Sequence, residues 1–227
     1  MTTTAIPTTT QFDQAVRLKV PWTVYESLVE SLGDSSHVRL TYGGEILEIL
    51  SPGSLHGFLA NLVSEMLSIL GWEWRISLTN IGSTRFQTGF QTDRKGTEAD
   101  KSYYINAKGR LRDVRNIDLA IDPPPDLLVE IDISSSSQNK LPIYAALGVG
   151  EVWRYSPAGF EGFTLVDGAY VPIEISRAIW GLPLGTMGAW LESPQATAAA
   201  EGDTFAFTVP WREWVIANRQ LHGNHDT

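Results

Sequence analysis

The segment PPDLLVEIDISSSSQNK places three carboxylates, Asp126, Glu130 and Asp132, on what reads as an interior strand. Strand side chains alternate between faces, so these three share one side with Leu128, while Leu127, Val129, Ile131 and Ile133 share the other. Aliphatic residues on both faces mark a strand covered on both sides. Buried carboxylates are costly there unless something compensates their charge. Lys140 follows in the first turn of the next helix, where the helix dipole disfavours a cation. Asp100, at the start of the Tyr-rich strand containing Tyr103 and Tyr104, is the strongest candidate for a second acid from another element. Glu45 and Glu48 stand three apart on one strand, so at most one of them points into a shared site. His56 falls in the first turn of a helix. Carboxylates from two strands with a Lys nearby form an oxygen-rich site suited to Mg²⁺ or Mn²⁺. Such a cation offsets clustered negative charge, polarises a phosphate oxygen and lowers the pKa of a bound water. Lys140 would orient that water or stabilise developing charge. A carboxylate-pair glycosidase is the competing enzyme reading, and it leaves Lys140 without a task.

The elements that must position these residues read as follows. TVYESLVESL predicts a helix over residues 23–32, with Thr23 and Glu26 at capping-box spacing and Gly33 as its stop. HVRLTY and EILEIL flank Gly43-Gly44 as a β-hairpin. Ser51 and Pro52 open a helix whose apolar residues, from Leu55 to Leu70, keep the helical period. From 72 to 121 the pattern is strand-like with turns, ending in the segment VRNIDLAI. Trp72, Trp74 and Trp153 are read as packing residues. The 126–133 strand, a helix near 138–147 capped from Ser134–Ser137, and the strand EVWRY form a βαβ-type unit with parallel pairing. A hairpin turns at Asp167-Gly168. The fold class is therefore α/β with a mixed β-sheet flanked by helices. The organisation expected is a flexible segment over 1–19, a core over 20–160, a covering hairpin region over 161–192, and a linker with a C-terminal helix over 193–227.

Composition bounds the function. Among 227 residues, 43% are hydrophobic and 19% charged, ordinary values for a folded chain. The absence of Cys excludes disulfides, thiolate metal sites and a thiol nucleophile. No run is apolar enough to span a bilayer, and the Thr-rich start lacks a signal-peptide layout, so a cytoplasmic protein without a membrane partner is expected. The net charge of −9 argues against nucleic acid, but its distribution does not. Residues 75–115 carry +5 and the remainder −14. Arg75, Arg85, Arg94, Lys95 and Lys101 are the candidate phosphate-facing patch.

Three stretches, YGGEILEILSPGSLHG, EADKSYYI and PPDLLVEIDISSSSQNKLPIYAALGVGEVWRY, resemble the PD-(D/E)XK nuclease superfamily, and within it a restriction endonuclease-like family abundant in photosynthetic bacteria. The similarity covers about residues 20–160, and the third stretch is the most specific. The resemblance implies a restriction endonuclease-like core and a divalent-metal-dependent deoxyribonuclease acting on DNA. Asp100 matches the motif's first acid and Glu130 its second, with Ile131 supplying a carbonyl to the ion. The Lys expected two places after Glu130 is Asp132 here, and Lys140 matches a Lys displaced to the following helix. Asp132 is then a ligand, a supporting acid or a strand-end residue. Glu45 matches an acid before the first long helix and His56 a His at that helix's start. Ala99 stands where the motif has Pro. The 156–227 segment is a candidate dimer contact, since cutting both strands usually needs two sites. The alternative is a nuclease-fold protein without turnover that binds nucleic acid or regulates.

Overall fold

Alternating strands and tight turns build two sheets, and the chain crosses between them beside the acidic strand. The computed structural model describes residues 13–33, 37–88, 94–115, 117–133 and 136–222. Residues 1–12 of the segment expected to be flexible, and Ser134 and Ser135 of the expected caps, lie outside these. The first sheet has the order β1-β3-β2-β6-β5. It is formed by β1 (Gln14–Lys19), β2 (Arg39–Gly43), β3 (Ile46–Ser51), β5 (Arg85–Thr88) and β6 (Lys95–Glu98). The second has the order β11-β10-β9-β8-β7-β4. Its strands are β4 (Leu78–Asn80), β7 (Lys101–Ile105), β8 (Leu127–Ile131), β9 (Glu151–Ser156), β10 (Gly159–Val166) and β11 (Ala169–Ile173). Only Ala99 and Asp100 separate β6 from β7, so Asp100 sits where the chain leaves one sheet for the other.

Strand β8 is covered as its sequence predicts. Leu127, Val129 and Ile131 enter the main core, beneath α2 (Ser54–Trp74), α4 (Leu184–Leu191), α5 (Pro194–Ala200) and α6 (Phe205–Ala217). Leu128 faces the other way, into a smaller core with Phe86, Ala99, Ile143, Tyr144 and Leu147. Ile143, Tyr144 and Leu147 belong to α3 (Leu141–Leu147), and Gly148, in the left-handed region at φ 78°, ends that helix. β8 and β9 pair in parallel with Glu130 opposite Arg154, as the βαβ reading requires. A short 3-10 turn, Ser137–Lys140, precedes α3, and the Ser136 hydroxyl accepts from the Gln138 N–H at its start. Helices α2 and α6 are fastened twice, by Trp74 Nε1–H to the Val215 carbonyl at 2.9 Å and by Trp211 Nε1–H to the Met66 carbonyl at 3.0 Å.

Several expectations change at element ends. Residues 14–19 form β1, antiparallel to β3, rather than a flexible segment. Helix α1 (Trp22–Leu32) starts from Pro21 without a side-chain cap, so Thr23 and Glu26 form no capping box. The hairpin turn uses Gly44 and Glu45, both at positive φ (58° and 64°), rather than Gly43-Gly44. Helix α2 starts from Gly53, not Ser51, because Ser51 still pairs in β3. Trp72 and Trp74 end α2 instead of opening a strand, and Trp72 is 83% exposed while Trp74 and Trp153 are buried. The described residues of 114–121 contain no strand. The linker expected at the start of the 193–227 region contains α5, capped by the Ser193 hydroxyl. Among the described residues no helix is long and apolar enough to cross a membrane.

Candidate active site

Asp100, Glu130 and Lys140 meet in the interior between the sheets. Register explains the first two: Lys101 pairs with Val129, which places Asp100 beside the Glu130–Ile131 end of β8. Asp100 Oδ2 accepts the Ile131 N–H at 2.8 Å. The 3-10 turn folds the chain back after β8, so that Lys140 Nζ reaches Glu130 Oε2 at 3.0 Å. All three are buried, at 4%, 2% and 3% exposure. The Tyr144 hydroxyl donates to the other Glu130 oxygen. Tyr144 stands four residues after Lys140, one helical turn on, so both reach the same carboxylate.

His56 lies in the first turn of α2 between two acids. Its Nδ1 is 3.1 Å from Asp13 Oδ2, and its Nε2 is 2.7 Å from Asp100 Oδ1. Asp13 Oδ1 also accepts the Gly53 N–H at 2.9 Å, capping α2 from another element.

Charges in this interior are strongly coupled. Burial opposes protonation of His56, but hydrogen bonds and the charges of Asp100 and Asp13 outweigh it, raising its pKa to about 10. Burial pushes Asp100 up, and His56, Lys140 and the Ile131 N–H pull it below the usual carboxylate value. Glu130 is raised to about 7, chiefly by burial and then by the Asp100 charge, against the pull of Lys140 and Tyr144. Burial opposes the Lys140 charge, yet Glu130, Asp100 and Glu48 outweigh it and raise its pKa. Tyr144 is raised well above its usual value by burial and by Glu130. Burial likewise raises Asp132, against hydrogen bonds from Ser137 and the charges of Arg154 and Lys140.

The other expected residues divide. Asp132 accepts from the Ser137 N–H and hydroxyl and lies 2.9 Å from Arg154 Nε, so it closes the loop after β8. Asp126 binds Arg110 and the Ile105 N–H, a structural role. Glu45 is not brought to the site. It occupies the exposed hairpin turn, 3.4 Å from Lys19, because the turn takes the two positive-φ positions Gly44 and Glu45. Glu48 is the buried acid of that strand; it pairs with Arg17 and adds to the charge around Lys140. Beside Glu48 opens a cavity of about 460 Å³ lined by Arg17, Thr41, Lys95, Asn139 and Ile143.

Nor does the basic window form one patch. Arg75 ends α2, about 28 Å along the helix axis from His56 at 1.5 Å per residue. Arg85 pairs with Glu98 at 2.6 Å, and Arg94 pairs with Glu26 and lies over the Trp22 ring. Arg110, Arg112 and Arg115 are tied to Asp126, Asp122 and Asp113. Lys101 donates to Asn61 and stays beside Asp100, where burial pushes its pKa down. Asp13, Glu48 and Tyr144 are the site residues that sequence reasoning left out or passed over.

Among the described residues no three His, Asp or Glu side chains are arranged to hold a metal. Asp100 and Glu130 are nevertheless hard oxygen donors, and Mg²⁺ is often held by only one or two carboxylates with waters and substrate phosphates. The charge of Asp100 pushes the buried Glu130 toward its protonated form, and an added cation relieves that crowding. The donor set therefore fits such an ion.

The mixed sheet, flanked by helices on both faces of its acidic strand, is a restriction endonuclease-like α/β core. The chain belongs to the Uma2 family, whose model, described as "Putative restriction endonuclease", matches residues 22–193. No curated protein matches the chain.

Proposed function

We propose that the protein is a divalent-metal-dependent endonuclease that hydrolyses DNA phosphodiester bonds, with Mg²⁺ or Mn²⁺ held by Asp100, Glu130 and the Ile131 carbonyl. The observation that carries this reading is the burial of Asp100, Glu130 and Lys140, from three elements, around one point. When bound, the cation polarises a phosphate oxygen and lowers the pKa of a coordinated water. The chain's own residues do the positioning. Lys140 keeps an ammonium beside the carboxylates and faces negative charge as it develops on the phosphate. Tyr144 fixes the second oxygen of Glu130, and His56 and the Ile131 N–H fix the two oxygens of Asp100. Lys95 and Lys101 supply the phosphate-facing charge, since Arg85 and Arg94 are taken up by Glu98 and Glu26. Cutting both strands would then use two copies of the chain.

The test is Mn²⁺ titration by calorimetry, with cleavage of a DNA substrate followed in parallel, on wild type and Glu130→Gln. Saturable binding and cleavage, both lost in the variant, are expected. Wild type that binds no Mn²⁺ and cuts no DNA sinks the proposal. One observation favours a second reading, a nucleic-acid-binding shell without turnover: every carboxylate oxygen of Asp100 and Glu130 already has a protein partner. DNA binding that persists without Mn²⁺ binding or cleavage would select it.

A further inference from the structure

Asp13 precedes the family-matched residues 22–193, yet its side chain is only 1% exposed and turned toward the site. Register delivers it there. Gln14 pairs with Ser51, so the residue before Gln14 lies beside Gly53 at the start of α2. Gly53 has no side chain to cap that helix, and Asp13 supplies the acceptor from forty positions away.

We propose that Asp13 is a positioning residue whose carboxylate grips the Gly53 N–H with one oxygen and His56 Nδ1 with the other, and thereby keeps His56 Nε2 against Asp100. This rests on the nuclease reading, in which Asp100 holds the ion. An imidazole turns about its own ring axis unless both ends are held. Asp13 holds one end at 3.1 Å and Asp100 the other at 2.7 Å. The second Asp100 oxygen is bound to the Ile131 N–H, so His56 is what fixes the remaining rotation of that carboxylate. Groups that orient a metal-ligating residue are worth about 10–100-fold in metal affinity when removed.

The test compares Asp13→Ser with Asp13→Asn in the full chain. Ser keeps a small acceptor near the helix start but is too short to span to the imidazole. Asn can accept from Gly53 with its oxygen and donate its amide to Nδ1, keeping the ring aimed. In metal-free protein, the His56 Nε2–H signal in a long-range nitrogen–proton NMR spectrum should be protected from exchange in wild type and D13N and lost in D13S. In calorimetry, D13S should weaken Mn²⁺ binding about tenfold and D13N by no more than about threefold, the range expected of an orienting partner. Added to His56→Ala, D13S should bring no further loss, because its effect passes through the imidazole. A D13S protein that melts cooperatively with wild-type ring signals and Mn²⁺ affinity overturns the proposal. So does a further loss in the H56A background. Wild type that fails to bind Mn²⁺ overturns the nuclease reading instead, and the ring spectra still decide whether Asp13 holds His56.

Discussion

Two glutamates on neighbouring strands, Glu130 on β8 and Glu151 on β9, are equally hidden and differently dressed. Glu151, 1% exposed, takes hydrogen bonds from Trp153 Nε1, the Ser176 hydroxyl, and the N–H groups of Arg177 and Ala178. All four donors are neutral. They come from the strand itself and from the loop before α4, so this carboxylate pins a loop to the sheet. Glu130, 2% exposed, takes a cation and a phenol, and has a second acid close enough to raise its pKa. The contrast teaches how to sort buried acids. Neutral donors that saturate a carboxylate solve a folding problem, whereas a charge balanced by another charge and crowded by a second acid leaves electrostatic work to be done.

The largest effect should separate the two in function. Glu130→Ala is expected to slow Mn²⁺-dependent DNA cleavage by about 10²–10³-fold, the scale of losing a preorganised charged group. Glu151→Gln, assayed on the same substrate per folded molecule, should leave the rate almost unchanged. Equal losses would erase the distinction. In stability the ranking changes. Glu151→Ala strands four donors and should cost about 3 kcal/mol in urea unfolding. Lys140→Met leaves Glu130 buried beside Asp100 and should cost a comparable amount, about 3–5 kcal/mol, part of which Glu130→Gln in the same chain should restore. If the double variant is no better than Lys140→Met alone, the pair is not coupled.

The dependence on pH follows from two raised pKa values. Glu130 moves from 4.5 to about 7 and His56 from 6.5 to about 10, so the folded state binds more protons than the unfolded state across that span. Stability from these groups is complete below their unfolded values and falls as pH rises through the folded ones. Melting temperature should therefore decline between roughly pH 4.5 and 10, with the His56 share of the decline above pH 6.5. His56→Gln should flatten that decline, and an unchanged slope would remove His56 from the coupled set. The smallest effect concerns the hairpin acids. Glu45→Gln should stay within about 0.5 kcal/mol of wild type, as exposed substitutions do, whereas Glu48→Gln strips Arg17 of a buried partner and should cost about 1–2 kcal/mol.

Much of the site was legible because it lies on a strand with a clear period. The alternation in DLLVEID assigns both faces of β8, and the stop at Gly148 and the parallel return of EVWRY follow from local chemistry. Tyr144 was within reach too, since it stands four residues beyond Lys140 within the helix expected near 138–147. Asp13 was not. Its surroundings in sequence carry no period, and its partner is 43 positions away, reachable only through the β1–β3 register. The choice between Glu45 and Glu48 failed on turn chemistry. Strand alternation allows only one of them inward, and the non-Gly positive φ of Glu45 decides which. Counting charges over 75–115 failed for another reason: folding brings acids to most of those bases, as the β5–β6 pairing of Arg85 with Glu98 shows.

The two Trp bonds that fasten α6 to α2 have a mechanical side. Helix α2 is a rod of 21 residues, about 30 Å long, with His56 near one tip and Trp74 at the other. A tilt of about 2° about the clamped end would carry the far tip through roughly 1 Å, the margin that separates a tight site from a loose one. Bracing at Met66, Trp74, Trp211 and Val215 thus acts over a lever arm, and residues far from the acids set how still the imidazole is held.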